Sequence, residues 1–148
     1  MTPVVAQTDR LNLRQFDTDD LDDLTEVLGN ADVMTYSVTG PLTHVEVQEH
    51  IRRYCAHWHR WGYGLCAVVH RTDGKVIGYC GLTEGSSPEV PELAYELLRR
   101  TWGHGYATEA ATAVLAWARA SGFTRLTATV WEWNVASLGV LTKLGFVE

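Results

Sequence analysis

The stretch that most limits what this chain can become is "ELAYELLRRTWGHGYATEA", residues 92–110. It runs from a strand-like alternation over Glu92–Leu98 through Gly103-His104-Gly105 into an alanine-rich helical run. A strand that feeds a helix through two glycines gathers several N–H groups without intrahelical partners, together with the positive end of a helix dipole. That is an anion cradle, and glycine suits it because a β-carbon would hold a phosphate away from the amides and because the turn calls for positive φ. Arg100 can add a charge; His104 and Ala107 lie in or beside the turn, and Thr108 offers a hydroxyl in the first helical turn. A glycine turn that serves only helix–strand contact is the competing reading. A dinucleotide fingerprint fits poorly, because Thr108 occupies the place of its third glycine and the motif comes late in the chain, and the Gly-Lys-Ser/Thr of a Walker loop is absent.

The flanking sequence predicts what carries this loop. "RLNLRQF" alternates as a first strand, and "DTDDLDDLTEVLG" follows as a helix with an acid-rich first turn. A second helix spans Thr43 to about Trp61, with Thr43 and Glu46 in capping-box positions. "LCAVVH" and "KVIGYCGL" flank Arg71-Thr72-Asp73-Gly74, a hairpin turn, whereas "TEGSSPEVP" reads as a loop whose prolines forbid ladder bonds. "ELAYELL" is the next strand, Gly105 to Ser121 a helix closed by Gly122, and "LTATVW" a strand parallel to it across the crossover. Asn134 caps a last helix that ends near Gly145. The order β α α β β β α β α gives an α/β (α+β) mixed sheet, an antiparallel meander joined to one β-α-β crossover with helices on both faces. With no repeat, low-complexity tract or linker, residues 1–148 read as a single domain.

Charge narrows the partners. A net charge of −6 argues against nucleic acid as a partner. Its distribution is uneven: "DTDDLDDLTE" alone holds six acids, while from Arg99 onward five cations (Arg99, Arg100, Arg119, Arg125, Lys143) face Glu109, Glu132 and Glu148. A basic region around a glycine loop in an acidic protein suggests a small anionic ligand. No apolar run approaches a membrane span and the first residues lack a signal-peptide pattern, so a cytoplasmic protein without a membrane partner is expected. Cys55, Cys66 and Cys80 read as thiols in a reducing compartment; Cys55 and His59 share a helix face but lack further ligands at a recognised spacing, so no metal is expected.

Taken whole, the segment resembles the strand, loop and helix of GNAT-superfamily N-acetyltransferases, whose acetyl-CoA loop reads Gln/Arg-x-x-Gly-x-Gly/Ala; Arg100, Gly103 and Gly105 fill those places. The fuller Trp-Gly-x-Gly-Tyr-Ala-Thr-Glu-Ala is similar to the RimJ/RimL-like branch, as are the opening "TDRLNLRQF" and the closing "NVASLGVLTKLGF". The resemblance implies a GNAT-like fold that binds acetyl-CoA, without a metal, and acetylates a primary amine on a small molecule or a peptide. It implies a strand that ends at Leu97-Leu98 and splays from Thr127–Val130 to admit the pantetheine arm, with a strand amide near Leu97 or Leu98 facing the thioester oxygen. Asn134 would contact the same arm. Many members carry a tyrosine where Leu141 stands; the RimJ/RimL-like branch places a serine at Ser137, near the CoA sulfur, although Ser137 also reads as an exposed first-turn residue. For the base, Glu92 and Glu96 share one face of the motif's strand, and each reads equally as a rim charge. Members of this family usually continue through one or two further strands beyond the Phe146-Val147-Glu148 stop, which leaves either a shortened sheet or an edge supplied by a second subunit, as in a homodimer. The alternative function is a non-catalytic acyl-CoA-binding or regulatory module.

Overall fold

Two strands open the chain where one was expected. In the computed structural model, which describes residues 2–31, 33–34, 40–129 and 135–147, the leading segment divides into β1 (Val4–Gln7) and β2 (Leu11–Arg14), an antiparallel pair. Thr8, Asp9 and Arg10 make the turn between them: Thr8 N–H donates to the Leu11 carbonyl at 2.8 Å, and Leu11 N–H donates to the Thr8 hydroxyl at 3.0 Å. Thr and Asp close such turns through their own side chains, which is why this alternating stretch folds back instead of running on.

A short 3-10 turn leads into α1 (Leu21–Leu28), and α2 (His44–Trp61) follows. The capping box expected at Thr43 is present, with Glu46 N–H donating to Thr43 Oγ1 at 3.2 Å and Thr43 N–H to Glu46 Oε1 at 3.0 Å. The meander comes next: β3 (Leu65–His70), β4 (Val76–Ser87) and β5 (Val90–Leu97). The Asp73-Gly74 hairpin closes as the sequence requires, Gly74 N–H reaching the His70 carbonyl at 2.9 Å. The expected loop "TEGSSPEVP" is corrected, because β4 continues to Ser87 and β5 resumes at Val90. Pro91 is accommodated because the β4–β5 register is irregular between Thr83 and Ser87, so no ladder bond is asked of it.

The chain then forms α3 (Tyr106–Ala120), β6 (Thr127–Ala128) and α4 (Val135–Lys143). The six-stranded sheet has the order β1-β2-β3-β4-β5-β6, antiparallel except for the parallel β5–β6 pair. Helices cover both faces. Cys66 and Val68 of β3 face α3 through Ala110, Ala111, Val114 and Ala118, while Ala67 and Val69 face Leu24, Val27, Val47 and Ile51 of α1 and α2. The period of two along β3 thus divides one strand between two apolar cores. Asn134 lies outside the described residues.

One feature of the sheet positions the site. Among the described residues β5 and β6 pair only at Glu92–Thr127 and Leu93–Ala128. Beyond them, among the described residues, the C-terminal half of β5 has no ladder partner on that side, which leaves a gap along that edge of β5.

Candidate active site

The backbone at this gap is oriented by the pairing on the other side of β5. Leu98 N–H donates to the Ile77 carbonyl at 2.7 Å, so it is committed to β4. N–H groups alternate in direction along a strand, and the register therefore turns those of Tyr95 and Leu97 away from β4, into the gap. Of the two amides expected to face a thioester, Leu97 has the right direction. Leu98 does not, and its side chain is buried among Phe16, Val76 and Leu42.

Beyond the strand the loop turns through Gly103 (φ 81°) and Gly105 (φ 80°), and Gly105 precedes the first residue of α3. A β-carbon added to Gly103 would meet nothing within 4 Å, and one on Gly105 would meet only Arg10 Nη2 at 3.6 Å. Close helix–strand contact therefore does not demand these glycines. Their left-handed φ does, and the space outside them is open to a ligand. No side chain caps the helix, which leaves its first N–H groups pointing outward.

A network fixes that helix end from the far side of the sequence. The Glu109 carboxylate in the first turn of α3 accepts from Arg10 Nε at 2.7 Å, from Arg10 N–H at 3.1 Å and from the Thr8 hydroxyl. Partial burial pushes the Glu109 carboxyl up, but the Thr8 and Arg10 hydrogen bonds outweigh it and hold the group below its ordinary value. The Arg10 guanidinium also lies over the Tyr106 ring at 4.2 Å, and the Tyr106 hydroxyl meets His70 Nε2 at 3.0 Å. The opening and glycine motifs, far apart in the chain, are thus joined in one structure.

A cleft of about 330 Å³ follows the gap and the loop, of a size suited to a small ligand. Tyr95, Glu96, Leu97, Trp102, Gly103, Gly105, Ala107, Thr108, Ser137 and Lys143 are among its walls. Side chains of successive strand residues point to opposite faces, so Glu96 lies beside Tyr79 on the α1/α2 side, and Tyr95 lies beside Cys80 on the α3/α4 side. Burial pushes the Glu96 carboxyl up to about 7. Burial also raises the Tyr95 phenol, whose hydroxyl is buried without a hydrogen-bond partner among the described residues. Trp102 closes the bend, its Nε1 donating to the Leu97 carbonyl at 2.8 Å.

The expected site residues therefore separate. Glu96, Leu97, Gly103, Gly105, Ala107, Thr108 and Ser137 meet at the cleft. Glu92 shares the Glu96 face but sits where β5 is still paired on both sides, to Thr83 and Thr127, and is not in the cleft wall. His104 is exposed on the loop, its ring tilted against Tyr106. Arg100 is paired with Glu26 of α1 at 2.9 Å, away from the cleft wall. Asn134 lies outside the described residues. The basic region read from composition is dispersed as well. Arg99 stacks on Trp102 at 4.3 Å, Arg119 and Arg125 line a separate groove, and Lys143 is the one cation of the five in the cleft wall. Tyr95, Trp102 and the anchoring role of Arg10 were not singled out from the sequence. Period two along "ELAYELL" was the available signal for Tyr95, which it places on the face opposite Glu96.

A family model described as "Acetyltransferase (GNAT) domain" matches residues 10–147. The uncharacterized protein YkkB of Bacillus subtilis is 32% identical over 142 residues, covering 93% of this chain and 82% of that one. The crystal structure of an acetyltransferase from Agrobacterium tumefaciens superposes with a TM-score of 0.83 at 27% identity, over 98% of this chain and 84% of the other. The fold is also that of RimL, a ribosomal-protein alpha-N-acetyltransferase, in complex with coenzyme A, with a TM-score of 0.85 at 18% identity over 98% of this chain and 84% of the other. The family model spans nearly the whole six-stranded mixed sheet and its helices, and the chain belongs to the GNAT acetyltransferase family.

Proposed function

We propose that this protein moves an acetyl group from acetyl-CoA to a primary amine by direct transfer within a ternary complex. The observation that carries this reading is one cleft in which an uncapped, glycine-bounded helix start and a half-buried carboxyl meet across the open end of β5. The donor is supported by family membership and by the coenzyme A held in the RimL structure. The amides from Gly103 to Thr108 suit its pyrophosphate, with Lys143 as a nearby cation. The outward Tyr95 and Leu97 amides suit the thioester oxygen and the arm behind it, where they stabilise the charge that develops during attack.

Glu96 is the base in this reading. An amine arrives as an ammonium ion and must lose a proton before it can attack, and a carboxyl with its pKa near 7 is matched to that task at neutral pH. Glu92, outside the cleft wall, serves at most as a rim charge for a cationic acceptor. Ser137 faces the departing sulfur. The acceptor class is a primary amine of a small molecule or a peptide, met in the cytoplasm, with the whole chain acting as one domain, alone or as a homodimer.

Incubation with acetyl-CoA and a panel of primary amines, read by thiol release and by mass of the product, tests the proposal. Acetyl-CoA should raise the melting temperature, with a stabilisation of about 2.7 kcal/mol at a hundredfold excess over Kd. At least one amine should then release CoA above the rate in water. Stabilisation without release by any amine would replace the enzyme with the binding module.

A further inference from the structure

One row of side chains on the α1/α2 face of the sheet ends at Glu96. Arg14, Ala67, Tyr79 and Glu96 stand opposite one another on β2, β3, β4 and β5, so their side chains rise from the sheet in a line. Tyr54 of α2 reaches this row: its ring centroid lies 6.0 Å from that of Tyr79, 5.4 Å from Phe16 and 5.9 Å from His50. Tyr54 and Tyr79 pack against the apolar core of that face, yet they and Glu96 keep part of their surface accessible. The protein lays its own guanidinium groups over Tyr106, Trp61 and Trp102; among the described residues no cation lies over Tyr54 or Tyr79.

A tyrosine ring attracts an ammonium ion to its face through its quadrupole, a carboxylate attracts it by charge, and the same rings favour contact with another ring. We propose that Tyr54, Tyr79 and Glu96 form the seat of the acceptor, and that the acceptor is a primary ammonium on a ring-bearing apolar body with no carboxylate beside the nitrogen. The inference rests on the acetyl-transfer reading and names a substrate class for it. Glu96 is also in the wall of the donor cleft, so the seat brings the amine to the strand edge where the outward Tyr95 and Leu97 amides lie. A carboxylate next to the amine would face Glu96 without compensation. The one cation of the row, Arg14, is held by Asp20 through hydrogen bonds of 2.7 and 2.9 Å, and two strands separate it from Glu96. His50, whose Nδ1 stands 3.4 Å from the Tyr54 hydroxyl, is held below its ordinary value by burial and then by Arg53, so it is neutral at pH 7. Burial pushes the Tyr54 phenol up to about 12 and the Tyr79 phenol well above its ordinary value, which keeps both rings uncharged while an amine binds.

The test gives the full chain acetyl-CoA with 2-phenylethylamine, ethylamine and L-phenylalanine in turn. For 2-phenylethylamine kcat/KM should exceed that for ethylamine about tenfold or more, which is the contribution of ring contact. It should exceed that for L-phenylalanine about 100-fold or more, because the added carboxylate is left unpaired beside Glu96. Tyr54→Leu should raise KM for 2-phenylethylamine, and its Kd for the CoA-loaded protein, about tenfold. In the same variant kcat should change less than about threefold and KM for acetyl-CoA less than about twofold, a split that a general structural loss would not give. Tyr54→Phe should restore the wild-type values, since the ring face and not the hydroxyl holds the cation. The wild-type amine series needs no variant and decides the matter even where Tyr54→Leu fails to fold. A phenylalanyl peptide amide carries the same ring and ammonium; its rate against that of 2-phenylethylamine tells a peptide N-terminus from a free small amine, and preference for either over L-phenylalanine upholds the seat. Equal kcat/KM for 2-phenylethylamine and L-phenylalanine, or an unmoved KM and Kd in Tyr54→Leu, would overturn the seat and leave acetyl transfer standing. A chain that acetylates no amine overturns the acetyl-transfer reading, and the seat as an acceptor site with it.

Discussion

Glycines in β4 and glycines in the loop after β5 look alike in sequence and answer to opposite demands. A β-carbon on Gly81 would stand 2.2 Å from the Gly64 carbonyl oxygen, and one on Gly78 would stand 2.0 Å from the Glu96 carbonyl oxygen. Backbone fills the space there, and only hydrogen fits. At Gly103 nothing lies within 4 Å, and at Gly105 only an arginine tip lies nearby. The first kind of glycine serves the sheet. The second kind leaves room for something the protein itself does not supply, and this difference is what separates a phosphate cradle from a close-contact turn.

Gly81→Ala should show the largest effect, because the clash is with backbone that cannot move aside. We expect a loss of about 3 kcal/mol or more, visible as a collapse of the thermal midpoint. Gly105→Val should do the reverse, keeping the fold at a strain cost of about 1–2 kcal/mol for a left-handed residue. Acetyl-CoA affinity should nonetheless fall at least about 100-fold by calorimetry as the side chain blocks the amides. Retained affinity in Gly105→Val would erase the distinction between the two kinds of glycine.

The carboxyl side of β5 sharpens the comparison through pH. Glu96→Gln should lower kcat about 100-fold and abolish the rise of kcat with a midpoint at about 7. The same group leaves a mark on stability. Its folded pKa of about 7 exceeds the ordinary 4.5, so the folded state holds the proton more tightly between those values, and the wild type should lose stability as pH rises through that window. Glu96→Gln should flatten that dependence in denaturant titrations. Smaller is the effect of Arg10→Ala, which frees the Glu109 carboxylate and loosens the helix start: KM for acetyl-CoA should rise about tenfold with a smaller change in kcat. Smallest is Arg100→Ala, whose exposed pair with Glu26 contributes at most about 1 kcal/mol. Acetyl-CoA affinity should change less than about twofold, and a tenfold loss would return Arg100 to the phosphate site.

Local signals were legible because their physics is local. The Thr43/Glu46 box, the Asp73-Gly74 turn and the alanine face of α3 each depend on neighbours within a few residues, and each is present. Departures from the local reading arise where a distant partner bears on a local rule. Pro91 enters a strand because the ladder is irregular beside it, and Arg100 turns to Glu26 because α1 lies within its reach. Glu92 and Glu96 could not be ranked by alternation, since it gives them the same face; the paired part of β5 holds one and the open end holds the other.

The sequence by itself determined the glycine loop, the helix that follows it and the strand that delivers it, because φ preferences, capping and periodicity act within a few residues. Tertiary structure decided which groups meet at the cleft. The Glu96 carboxyl is driven up by atoms packed around it, Tyr95 and Ser137 come to one cleft from two elements, and Arg10 reaches Glu109 from the other end of the chain. Desolvation and through-space contact depend on neighbours that only the folded chain brings together.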